Sequence, residues 1–178
     1  MIDLETWSTQ PNALIVSIGA CMFDPKGADV GERFYAAIEP ASMPGRHVDT
    51  NTILWWMSPE RTAAREAWLA ERKVDAYSAL TGLSRWVRDQ QVAVESTEDI
   101  RVWGNGAAFD NVILASAYRS LGTDPFWDHR NDRCYRTLKA LTPQVRIQRS
   151  GTHHNALDDA VDQARHLQRI RAALSLVL

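Results

Sequence analysis

The chain has 178 residues, the size of one domain, with a core able to bury about 70 % of the surface its unfolded form exposes. Hydrophobic residues make up 45 % and charged residues 24 %, which excludes a disordered tail, a coiled coil and a collagen-like repeat. No apolar run approaches the ~20 residues of a bilayer span, and MIDLET carries acids where a secretory signal carries bases. Cys21 and Cys134 have no metal-like spacing. The expectation is a reduced, cytoplasmic, single-domain protein with no membrane partner.

The opening MIDLE reads as a first strand, joined by a Ser-Thr-Gln-Pro-Asn loop to the apolar run ALIVSIGACMF at 13–23. DPKG at 24–27 is a turn, with Gly27 free to take φ > 0, and RFYAAI at 33–38 returns as a third strand. Ser58-Pro59-Glu60 starts a helix, with Ser58 as capping hydroxyl. Asp75 caps another, in which Ala76, Leu80, Leu83 and Val87 recur at helical spacing. IRVWGN at 100–105 is a short strand, and FDNVILASAYRSLG is a helix closed by Gly122. RCYRTLKAL suits either strand or helix. ALDDAVDQARHLQRIRAAL is a helix with Leu157, Val161, Ala164, Leu167 and Leu174 on its apolar stripe, and the closing AALSLVL reads as its end. Strands first, then strands alternating with helices, make an α/β domain with a mixed sheet and helices packed on it.

Net charge is −2, but the charge is unevenly spread. Residues 1–60 hold eight acids against three bases, whereas 128–149 hold six bases against two acids. An acidic front and a basic back segment could be two sides of a site that handles both metal and phosphate, although a solvated surface would look the same. Seven tryptophans are also unusual; most should be core, and an exposed one can stack on a base.

Asp3 and Glu5 are two apart, so on a strand their carboxylates share one face. Asp110 follows a strand and a glycine-containing turn, where open α/β sheets place ligands and glycine lets a neighbour approach the backbone. His154 precedes the last helix, and its ordinary pKa near 6.5 suits proton abstraction. Asp159 lies in that helix's first two turns, with Asp158 an equal competitor by periodicity. Each residue alone also has a local explanation, as a solvated strand end, a helix cap or helix-start decoration. Together, four carboxylates on one sheet end need counter-ions, and hard divalent cations are the physical answer.

DLET at 3–6, FDN at 109–111 and His154-x4-Asp159 resemble the three motifs of the DEDDh 3′–5′ exonucleases, the DnaQ-like superfamily. PNALIVSIGACMFDP, TILWWMSPE, WGNGAAFDNVIL, CYRTL and HHNALDDAVDQA are similar to the exoribonuclease-like branch typified by a mycobacterial exoribonuclease and phage exonuclease A. The resemblance implies a ribonuclease H-like fold, a five-stranded mixed sheet whose first three strands are antiparallel. It implies Asp3, Glu5, Asp110 and Asp159, rather than Asp158, as ligands of two divalent cations, Mg²⁺ or Mn²⁺, with His154 as general base. The expected reaction is hydrolysis at single-stranded 3′ ends to release nucleoside 5′-monophosphates, with RNA favoured slightly over DNA, by a homodimer. Leu4, Thr6, Trp55, Trp56, Asn105, Arg136 and Asn155 are placed on the substrate side, with Arg133 beside Arg136 as a phosphate contact. A non-catalytic binding subunit and an oligoribonuclease-like phosphodiesterase of very short oligonucleotides are the other readings. Only Met1 and Ile2 precede Asp3, which predicts a frayed first strand and weakened ion binding.

Overall fold

The structure is a computed structural model that describes residues 1–93 and 99–174. Strands β1 (Ile2–Thr6), β2 (Ile15–Phe23) and β3 (Val30–Ile38) form the expected antiparallel meander, and the two-residue β4 (Lys73–Val74) adds to β3 in parallel. A separate parallel pair consists of β5 (Val102–Gly104) and β6 (Asp132–Cys134). The helices are α1 (Thr50–Trp56), α2 (Thr62–Ala70), α3 (Ala76–Ala93), α4 (Val112–Ser120), α5 (Tyr135–Leu141) and α6 (Ala156–Leu174). None of these helices is long and apolar enough to cross a membrane.

The single five-stranded sheet is therefore corrected to a four-stranded mixed sheet and a two-stranded one. The reason lies on the free edge of β1. Met1 exchanges backbone bonds with Cys21 of β2, so the alternate residues Ile2 and Leu4 aim their amides away from β2. The Leu4 amide donates to Asp110 Oδ1 at 3.2 Å, so the ladder position next to β5 is taken by a side chain.

Other expectations hold with local changes. Asp75 caps α3, accepting from the Ser78 amide and hydroxyl, and Gly122 closes α4 at φ +71°. RCYRTLKAL divides, its start ending β6 and its remainder forming α5. The DPKG turn is held by Asp24, whose carbonyl accepts from Gly27 and whose Oδ1 accepts from Lys26; Gly27 does not use the left-handed region. Pro59–Arg61 is a 3-10 turn leading into α2, and Ser58 makes no side-chain cap bond there. Of AALSLVL, residues 172–174 end α6 and 175–178 lie outside the described residues.

The alternation of β1 positions the site. Ile2 and Leu4 enter the larger core with Leu80, Leu83, Ile113 and Leu114 from α3 and α4. Met1 faces the other way, into a second core with Trp103, Tyr135 and α6 residues Ala160, Val161, Ala164 and Leu167. Asp3 and Glu5 share the parity of Met1, so they face α6. That helix is covered by the sheet on one side and α5 on another, and it buries Asp159, Asp162, Gln163 and His166 besides its apolar residues. Its stripe is therefore broader than expected, while Leu174 is exposed at 37 %. Close approach depends on Gly19 of β2, where a Cβ would lie 2.1 Å from the Ala156 backbone carbon.

The expected fraying of β1 is not seen. All five of its residues are buried and paired with β2, and the Met1 ammonium donates to the Cys21 carbonyl at 2.9 Å. A register shift between Glu5 and Thr6 ends the regular pairing beside the site, a common place for a β-bulge.

Candidate active site

A cavity of about 530 Å³ opens over the end of β1, between α1, the turn after β5 and the start of α6. Asp3, Glu5, Asp110 and Asp159 all line it, and each is at most 8 % exposed. Strand parity delivers Asp3 and Glu5. A π-helical turn, Ala107–Asn111, delivers Asp110, starting from Gly106 at φ +120°. Gly104 permits that turn to fold back, since a Cβ there would meet Asn111 Oδ1 at 2.3 Å. Asp159 comes from the first turn of α6. Asp158 turns away and accepts from the Thr152 amide at 2.7 Å, so the choice left open by periodicity falls to Asp159.

One carboxylate oxygen from each of Asp3, Glu5 and Asp159 lies within 4.8 Å of the other two. Asp3 Oδ1 accepts from Gln163 Nε2 at 2.7 Å, while buried Asp110 Oδ2 has no hydrogen-bond partner among the described residues. Burial, then the neighbouring Asp110 and Asp159 charges, push the Asp3 carboxyl well above the usual carboxylate range. Burial and the same crowding, led by Asp3, push Glu5 up likewise, and burial lifts Asp110 to about 7. Asp159 is raised by burial despite the Arg149 guanidinium, which ion-pairs with its Oδ1. Crowded, buried acids and an unpartnered oxygen are the donor set that hard divalent cations require, so these residues fit such ions.

His154 stands at φ +68°, a left-handed conformation that places its amide on Asp159 Oδ2 at 3.0 Å. Its ring stacks on His153 at 3.8 Å between centroids and meets Trp55 edge-on at 4.8 Å. Burial, followed by the nearby His153, Arg61 and Arg149 charges, lowers its pKa to about 4, and its buried Nε2 has no hydrogen-bond partner among the described residues. His153, His154 and Asp159 also form a close group of ligand atoms, but the all-oxygen group suits Mg²⁺ or Mn²⁺ better.

Trp55 and Trp56 lie on α1. Asp49 caps it, accepting from the Thr52 amide at 2.7 Å. Trp56 is buried and donates its indole N–H to the Thr6 carbonyl at 3.0 Å, which ties α1 to β1. Trp55 is 41 % exposed at the cavity, with the Arg61 guanidinium 4.2 Å from its ring centroid. Leu4, Thr6, Asn105 and Arg136 line the same cavity, and Arg136 Nη2 donates to the Asn105 carbonyl at 2.6 Å. Asn155 instead lines an adjoining cavity of about 340 Å³, and its Oδ1 caps α6 by accepting from Leu157 and Asp158 amides. Arg133 bonds the Arg130 and Asp132 carbonyls and does not line the acidic cavity.

The sequence profile of the family described as "3'-5' exoribonuclease Rv2179c-like domain" matches residues 1–171. The chain belongs to this Rv2179c-like family. No curated protein sequence matches the chain. The match accords with the exonuclease motifs of the resemblance and makes the chain an exoribonuclease-like domain. In this Rv2179c-like domain, sequence reasoning missed two residues that touch the acids, Gln163 and Arg149. Gln163 was findable, since it lies one helical turn after Asp159 and so shares its face. Arg149 was visible only as one charge in a basic segment.

Proposed function

We propose that the acidic cavity hydrolyses the terminal phosphodiester at the 3′ end of single-stranded RNA and releases a nucleoside 5′-monophosphate. The observation that carries this reading is the convergence of four buried carboxylates from three separate elements in one cavity. Asp3, Glu5, Asp110 and Asp159 would hold two divalent cations, Mg²⁺ or Mn²⁺. When bound, such ions supply charge neutralisation at the phosphate and acidify water.

The chain's own residues do the rest. His154 is neutral near pH 7, so its Nε2 lone pair can accept the proton of the attacking water; the lowering of its pKa to about 4 by burial makes it a weaker base than the ordinary imidazole expected from the sequence. The Asp159 carboxylate orients the histidine through its backbone amide. Trp55 offers an exposed ring for the terminal base, and Leu4 and Thr6 line the cavity that would receive that nucleotide. Asn105 and Arg136 line the same cavity, where the guanidinium can meet a phosphate. Trp56 and Asn155 support the site as an α1 anchor and an α6 cap.

The test is digestion of 3′-labelled and 5′-labelled RNA and DNA oligomers with Mn²⁺ and then with chelator, with Asp110→Ala as control. The 3′ label should be released first, as mononucleotide, only with Mn²⁺ and faster from RNA. An intact strand under every condition rejects the hydrolase. Activity confined to the shortest oligomers would replace it with an oligonucleotide phosphodiesterase.

A further inference from the structure

The buried acids carry one ion pair among the described residues, Arg149 to Asp159. It occupies Oδ1 of Asp159, while Oδ2 is held by the His154 amide. Both oxygens of that carboxylate are therefore engaged, although Asp159 belongs to the tight oxygen group with Asp3 and Glu5. A divalent ion and a guanidinium cannot both make direct contact with Oδ1, because like charges at that separation repel strongly in a buried site. Arg149 must leave that oxygen if an ion is to take it.

The surrounding bonds decide what can move. Beside Arg149, the Ser150 amide and hydroxyl donate to Asp162 at 3.0 and 2.6 Å, and the Thr152 amide donates to Asp158 at 2.7 Å. The backbone of this segment is stapled to α6, so the freedom lies in the arginine side chain, which is one-third exposed at the cavity. Arg149 lines the cavity, so its planar fork, once released, is within the space a phosphate would enter and can take two of its oxygens.

We propose that Arg149 is an exchangeable counter-ion, neutralising Asp159 until a divalent cation enters and then binding the phosphate of the incoming strand. This rests on the reading of the carboxylates as an ion site. It adds to that reading an order of events in which ion entry arms the substrate contact.

The test compares wild type with Arg149→Ala, Arg149→Gln and Arg149→Lys. Mn²⁺ affinity is read by titration calorimetry, thermal melting is followed in chelator and in Mn²⁺, and kcat and KM are measured on RNA at saturating Mn²⁺. Loss of a competing charge-assisted bond should tighten Mn²⁺ binding about tenfold in the Ala and Gln variants. These two should melt below wild type in chelator and level with it in Mn²⁺. Their KM should rise about tenfold with a smaller change in kcat, and Arg149→Lys should recover part of the KM. Wild type that binds Mn²⁺ with unchanged or weaker affinity in both neutral variants overturns the exchange and leaves the nuclease reading standing. Tighter Mn²⁺ binding with unchanged KM overturns the phosphate role. Wild type that binds no Mn²⁺ overturns the ion site and the exchange together.

Discussion

Two halves of the cavity are built in opposite ways. Asp3 and Glu5 sit on β1, which is buried along its length and paired residue by residue with β2. His154 and Arg149 sit on the irregular segment between α5 and α6, fastened by side-chain bonds to Asp158, Asp159 and Asp162. The strand half fixes oxygens by backbone geometry, which suits ligands that must hold their spacing. The loop half fixes its backbone through carboxylates and leaves its side chains room, which suits a base and a cation that must change partners. Asp159 belongs to both halves, as a ligand candidate and as the clamp on His154.

The comparison can be broken at either half. Asp110→Ala should abolish Mn²⁺-dependent digestion; the Leu4 amide loses its Oδ1 partner, so the still cooperative melting curve should shift down by the cost of one buried unsatisfied amide, about 1–3 kcal/mol; retained digestion would remove Asp110 from the ligand set. His154→Ala should lower kcat by about 10²–10⁴-fold, the usual worth of a positioned base, with Mn²⁺ affinity little changed. His154→Gly should lose as much activity yet melt higher, since glycine accepts φ +68° without strain. On the strand half, Gly19→Ala should cost about 1–3 kcal/mol in denaturant unfolding as α6 is forced off β2. A neutral result would show that α6 can shift without loss. Trp55→Ala should raise KM for a short oligonucleotide about tenfold with kcat nearly unchanged, from lost stacking on one base; an unchanged KM rejects stacking.

The smallest effect is a pH dependence that sharpens the comparison. Asp110 has its folded pKa raised from 3.8 to about 7, so its protonated form is favoured by folding. That stability is fully present below pH 3.8 and is lost as pH rises through about 7. Asp3 and Glu5 shift in the same direction. The metal-free protein should therefore melt lower at pH 8 than at pH 6, and Mn²⁺ should cancel or reverse that slope. A chelated protein that melts higher at pH 8 would contradict the buried-acid account.

Much of this was legible in the sequence because it is local. The parity of Asp3 and Glu5, the periodicity of α3 and the glycine end of α4 need only neighbours along the chain. The family resemblance grouped Asp110, His154 and Asp159 and implied Asp159 rather than Asp158, a choice the helical wheel left open. What stayed hidden depends on distant contacts. Helix α1 has seven residues with two tryptophans, too short for periodicity to register, although Asp49 before Thr50-Asn51-Thr52 is a capping signal. Strand β4 has two residues and exists through its pairing with Ala37 and Ile38. The separation of β5 from β1 turns on a single carboxylate receiving the Leu4 amide, which no pattern of hydrophobicity records.

The π-helical turn at Ala107–Asn111 makes the position of Asp110 a matter of residue count as well as residue type. Such a turn carries one more residue than a regular α-turn, and each residue rotates a helix by about 100°. Shortening this stretch by one alanine would keep the composition near the site almost intact while swinging the carboxylate off its bearing. Chains of this kind that carry the aspartate but lack the additional residue are thus candidates for silent nucleases, recognisable by a gap rather than by a substitution.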